Sequence, residues 1–84
     1  MKKIYIVMGC TGEYSDRTEW PVFAFFGFEK AKAYAIKCED ESRIIFNRYK
    51  HWYDIPLAAN KYDKNSHWDY TGNGYYVMEV EIKK

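Results

Sequence analysis

The sequence predicts an α+β fold: a small, mainly antiparallel β-sheet of three to four strands in β-β-α-β order, with one long helix packed on one face. Three observations carry this expectation. Residues 3–8, "KIYIVM", and residues 75–82, "YYVMEVEI", are rich in β-formers and stand at opposite ends of the chain. Residues 20–26, "WPVFAFF", add a third such run. A helical stripe begins at Phe28, and a stripe of that kind needs an apolar layer to lie on, which a sheet supplies.

The elements follow in order. The run from Ile4 to Met8 is apolar on both faces, which predicts a central strand. "GCTG" breaks it with two glycines, and the charged stretch Gly12 to Trp20 follows as a loop or hairpin connection. Pro21 cannot donate to a ladder, so it belongs at the start of a strand or on a sheet edge. Gly27 stands at a helix N-cap, and Glu29 falls in the first turn, where a carboxylate suits the helix dipole. Ala31, Tyr34, Ala35, Cys38, Ile45, Tyr49 and Trp52 then recur at helical spacing, with Ser42 the one polar member of the stripe. A helix from Phe28 to about Trp52 would be roughly 36 Å long. It either breaks near "EDES" around Asp40 or carries its second half beyond the sheet, against the following loop or a second copy. Pro56 closes the helical region, because the residue before a proline avoids helical geometry. "LAANKYDKNSHWD" reads as a long polar loop, and "HWDY" as a short hairpin arm before the turn "TGNG". In the last strand Tyr76, Met78, Val80 and Ile82 face one way, Glu79 and Glu81 the other.

Length and composition bound the function. The 84 residues make a single domain, 1–84, and 48% hydrophobic residues argue against disorder. Aromatics reach 20%, more rings than one small core hides, so some Tyr and Trp are expected at a binding surface. The net charge of +1 lacks the basic excess of a phosphate-backbone binder. Cys10 and Cys38 form no CxxC pair or disulfide framework, which predicts free thiols and a cytoplasmic setting. No apolar run is long enough for a signal peptide or a membrane span, so no membrane partner is expected.

The chemistry-bearing residues give no catalytic or metal-binding pattern. Glu13, Asp16 and Glu19 share one polar loop with Arg17, and acid-base work needs carboxylates in different environments. Cys10, Cys38, His51 and His67 match no zinc spacing, and Cys38 falls on the apolar helix stripe. A Cys10-His pair has nothing nearby to lower the thiol pKa. Gly9, Gly12 and Gly27 form no phosphate-cradling motif. No catalytic residue, metal or cofactor is therefore assigned, and the chain is not expected to be an enzyme. What remains is binding. Glu13, Tyr14, Ser15, Asp16 and Arg17 form one candidate contact surface, able to supply charge complementarity. Tyr49, Trp52, Tyr53, Trp68 and Tyr70 form a second, able to supply buried anchors or a homodimer contact. The same rings, interleaved with Arg48, Lys50, Lys61 and Lys64, also suit stacking on nucleotides or nucleic acid, the alternative reading.

Gly12-Glu13-Tyr14-Ser15-Asp16, Ala24-Phe25 and Glu29-Lys30-Ala31 carry a resemblance. Together they resemble small uncharacterised proteins of bacteriophages and mobile elements, in which a strand leads into a "GEYSD" loop and an aromatic strand runs into a Lys/Glu/Ala helix start. The resemblance covers about residues 4 to 38. Phe26-Gly27 stands where those proteins carry a polar capping pair. It implies a phage setting, a host cytoplasm and a host protein as partner, bound and inhibited or modulated. It implies no activity.

Overall fold

The computed structural model describes residues 2–83, without the side chain of Tyr14. Its elements are β1 (Lys3–Thr11), β2 (Thr18–Phe25), α1 (Phe28–Arg48) and β3 (Asn73–Glu81), with single 3-10 turns at Tyr14–Asp16 and Trp52–Asp54. The strands form one antiparallel sheet in the order β2-β1-β3, and α1 packs on one side of it. The doubly apolar β1 is the central strand, as its pattern requires.

Pro21 sits on the edge strand β2, where its missing N–H costs no central ladder bond. The register shifts beside it: Val7 pairs with Phe23 and Met8 with Pro21, so Val22 is an extra residue in β2. On the covered side Val7 is fully buried against Ala31 and Ala35, with Tyr5, Tyr75 and Val77 around them. Burying an aliphatic side chain of this size contributes about 1.5–3 kcal/mol. Small helix residues let α1 approach the sheet closely, and Tyr34 meets Phe23 and Phe25 along the β2 side.

The helix runs unbroken through Asp40, and Arg43 Nη2 bonds Asp40 Oδ1 at 2.8 Å one turn away. It stops at Arg48, four residues before the end that periodicity predicts. Tyr49 already has extended geometry (φ −94°, ψ 140°), so Tyr49 and Trp52 leave the stripe. At about 31 Å the helix nearly matches a nine-residue strand of about 30 Å. Its second half is covered by the loop that follows: Ile45 packs with Ile55 and Trp68, flanked by Phe46 and Ala59. The expected hairpin arm at "HWDY" is absent from the sheet. Trp68 enters this second core, and Asp69 accepts hydrogen bonds in the turn before β3.

Gly9 explains why a loop can enter here. A Cβ at this position would stand 2.5 Å from the Trp20 indole, so only glycine lets that ring lie over the central strand. Trp20, 5% exposed, then turns its Nε1 toward the loop.

Candidate functional site

Two polar regions and one apolar one stand out. The first is a buried seam between α1, β2 and the loop. Asn60 and Asp63 are fully buried and Ser66 is 2% exposed, at a spacing of three residues in consecutive turns. Asp63 accepts from Trp20 Nε1 at 2.8 Å, from the Tyr75 hydroxyl at 2.6 Å and from the Asn65 N–H at 3.0 Å. Asn60 Nδ2 donates to Ser42 Oγ at 2.8 Å and to the Cys38 carbonyl at 3.0 Å, while its Oδ1 accepts from the Tyr62 N–H at 2.9 Å. Ser66 donates to the Leu57 carbonyl at 2.6 Å. These side chains replace the missing ladder, since a loop buried without secondary structure must satisfy its backbone in some other way.

The seam holds its protons. Burial, followed by the neighbouring Asp63, pushes the Cys38 thiol up to about 12. Burial and the bond to Asp63 raise the Tyr75 hydroxyl well above its usual range. A thiol so placed stays protonated at neutral pH, which suits a core residue rather than a nucleophile. Cys10 is half-buried with Sγ 3.6 Å from the Gly74 carbonyl. His67 stacks obliquely on Trp20, and His51 lies flat on Tyr53. The four thiol and imidazole groups thus have different neighbours, and among the described residues no three potential metal ligands gather.

The second polar region is the charged tip. Gly12 has φ +93°, and its N–H donates to Thr71 Oγ1 at 2.9 Å. Thr11 Oγ1 donates to Asp69 Oδ1 at 2.9 Å, and the Thr71 N–H reaches the same oxygen at 2.8 Å. Burial alone would raise Asp69, but the bonds from Thr71 and Thr11 outweigh it and hold the carboxyl below its usual value. The tip is therefore fastened to the turn before β3. Glu13, Ser15 and Asp16 are exposed on it. Their neighbour is Tyr70, 59% exposed, whose hydroxyl pKa is raised by Glu13 first and also by Asp16. Arg17 turns instead to Glu19 at 3.4 Å. The Tyr76 hydroxyl donates to the same Glu19 oxygen at 2.6 Å, the main cause of that carboxyl's lowered pKa. The Tyr14 side chain lies outside the described residues.

The expected aromatic surface divides. Trp68 is 8% exposed and belongs to the second core, a correction that follows from its packing on Ile45 and Ile55. Tyr70 joins the tip. Tyr49, Trp52 and Tyr53 remain exposed just past the helix end, with Trp52 edge-on to Tyr53. Lys61 lies over the Tyr62 ring at 5.3 Å.

The third region was missed as a site by sequence reasoning. Val7, Gly9 and Thr11 are buried on the helix side, so alternation turns Ile4, Ile6, Met8 and Cys10 to the other side. The register sets them beside Val80, Met78, Tyr76 and Gly74 of β3. The β3 row is uncovered: Tyr76, Met78, Val80 and Ile82 are 37%, 39%, 36% and 36% exposed. The apolar row of the clearest strand thus faces away from the helix, and Glu79 shares the covered side's direction, paired with Lys3 at 3.2 Å. The signal was present in β1, which is apolar on both faces although one helix covers only one. Among the described residues no helix is long and apolar enough to cross a membrane. Compared with known proteins, the chain matches no family model, no curated protein and no solved structure.

Proposed function

We propose that the protein is a small non-enzymatic binding module that works by docking on macromolecular surfaces. The observation that carries this reading is the uncovered sheet face of Ile4, Ile6, Met8, Tyr76, Met78 and Val80. Contiguous apolar patches of this kind are uncommon on monomers and mark interaction sites. The charged tip borders it through Arg17, Glu19 and Tyr76, and adds orientation and charge complementarity. Glu13, Asp16 and Tyr70 are the groups offered to a partner there. The resemblance of residues 4–38 to phage proteins makes that partner a host protein, bound in the host cytoplasm and inhibited or modulated by the contact. The buried Cys38, its thiol pKa pushed up, favours binding over catalysis, and among the described residues neither thiol is hydrogen-bonded to a histidine.

The test is affinity capture from a bacterial lysate with three proteins: wild type, Met78→Asp, and the double variant Asp16→Ala, Arg17→Ala. Wild type is expected to retain a protein, the double variant to lose it, and Met78→Asp to retain less. Equal retention by Met78→Asp, together with a wild type that stays at chain mass in solution, would remove the sheet face from the reading. Asp16→Ala alone should change stability by less than about 0.5 kcal/mol, because it is an exposed surface position. A loss of several kcal/mol in a denaturant titration would make the tip a structural cap.

A further inference from the structure

We infer that the occupant of the open sheet face is a second copy of this chain, packed face to face so that two three-stranded sheets form a sandwich. The inference rests on the reading of that face as an interface and names its partner. Three arguments carry it. The first is shape. Two sheets pack stably about 10 Å apart when their twists share one hand, and two copies of one sheet meet that condition by construction. A two-fold pair buries the same patch on both copies, so the face has only to complement itself.

The second argument is area. Strands of eight or nine residues at about 3.3 Å each, three abreast with a side-chain margin, give a face of roughly 30 Å by 19 Å. Two such faces bury about 1,100 Å², close to the lower end of stable interfaces. The four β3 side chains alone leave more than a third of their surface to water in the single chain.

The third argument is charge. The rows of β1 and β3 on this face, Ile4, Ile6, Met8, Cys10, Tyr76, Met78, Val80 and Ile82, carry no charged residue. Charges border the two ends. Alternation places Lys2 at one end, where its carbonyl accepts from the Ile82 N–H at 2.9 Å. Glu19, level with Cys10 and paired with Arg17, stands at the other. A two-fold axis lying across the strands reverses their direction, and so sets Lys2 of each copy over the Glu19 end of the other. Parallel stacking would set the two Lys2 side chains together. The antiparallel pair also leaves its two charged tips at opposite ends, where each stays free to meet another partner.

The experiment is the mass in solution of the full chain, by sedimentation or light scattering over micromolar to millimolar concentration. It compares wild type, Met78→Asp and Ile44→Asp. Ile44 is 52% exposed on the helix and controls for the mere addition of a charge. Wild type and Ile44→Asp should approach twice the 10.1 kDa chain mass. Met78→Asp should keep its circular dichroism and stay at chain mass, its dissociation constant raised at least ~100-fold by two carboxylates in an apolar interface. A wild type at chain mass throughout would overturn the inference, as would a dimer that persists in Met78→Asp. Should Met78→Asp fail to fold, Val80→Lys replaces it with the same expectations. The lysate capture separates the two failures. A monomeric wild type whose captured protein is lost in Met78→Asp keeps the face as an interface with a different occupant. A monomeric wild type whose capture is unaffected removes both readings.

Discussion

The helix lies on two different kinds of support. Its first half, Ala31 and Ala35, rests on a hydrogen-bonded sheet through an apolar core around Val7. Its second half, Ile45, rests on a loop without regular structure, through Ile55 and Trp68. In the first region the backbone satisfies itself through the ladder, and side chains are free to be apolar. In the second, Asn60, Asp63 and Ser66 are spent on satisfying turns and tying them to α1 and Trp20. A short chain can thus cover a long helix with few strands by burying hydrogen-bonded polar side chains, although here Trp68 Nε1 is left without a partner among the described residues.

The largest effect should come from breaking the sheet-side core. Ala35→Asp buries an unpaired carboxylate beside Val7 and should cost about 3 kcal/mol or more, enough to unfold a domain with few kcal/mol to spare. Loss of circular dichroism is the expected readout, and a folded variant with an unchanged denaturant midpoint would show that this core is not the foundation. Trp68→Ala strikes the other support and should cost about 3–5 kcal/mol. Hydrogen exchange should then speed up across the loop from Ile55 to Trp68 while the β1 and β3 amides keep their order of protection. Uniform loss of protection would mean that the two regions unfold as one. Asn60→Ala removes three hydrogen bonds and leaves the Tyr62 N–H without its acceptor, for about 1–3 kcal/mol. Its effect should fall on the loop alone.

The smallest effect is a pH dependence at the tip. Asp69 has its pKa held below its ordinary 3.8 in the folded protein. Its contribution to stability is therefore complete above that ordinary value and disappears as pH falls through the lower, folded one. Asp69→Asn should flatten the acid limb of a stability-pH curve below about pH 4. An acid limb identical to wild type would assign that slope to other carboxyls.

The two supports also differ in how plainly the sequence announces them. The period-3.6 stripe exposes α1 and the doubly apolar run exposes β1 as the central strand, whereas the period-2 row of β3 announces a strand but not its covered face, since Tyr76, Met78, Val80 and Ile82 lie open. The end of α1 is misread because Tyr49 and Trp52 keep the period after the backbone has left the helix. The polar seam is illegible for a different reason. Asn60, Asp63 and Ser66 stand among lysines and asparagines and look like solvated loop, because what buries them is contact with Trp20, Ser42 and Tyr75 far away in sequence. The tip residues are visible as a charged cluster, but their fastening through Thr11, Asp69 and Thr71 depends on a turn nearly sixty residues later. Trp68 is taken for surface because a lone ring in a polar stretch carries no period.

Gly9 makes the molecule sensitive at a point that carries no chemistry of its own. Exchanging one hydrogen for a methyl there pushes on the Trp20 indole, and the indole is one of the three donors that hold Asp63, 43 residues further along the chain. A change too small to disturb the central strand's pairing would be felt in the loop instead. Mutational tolerance along β1 should accordingly dip at Gly9, with the damage appearing in the region that no strand supports.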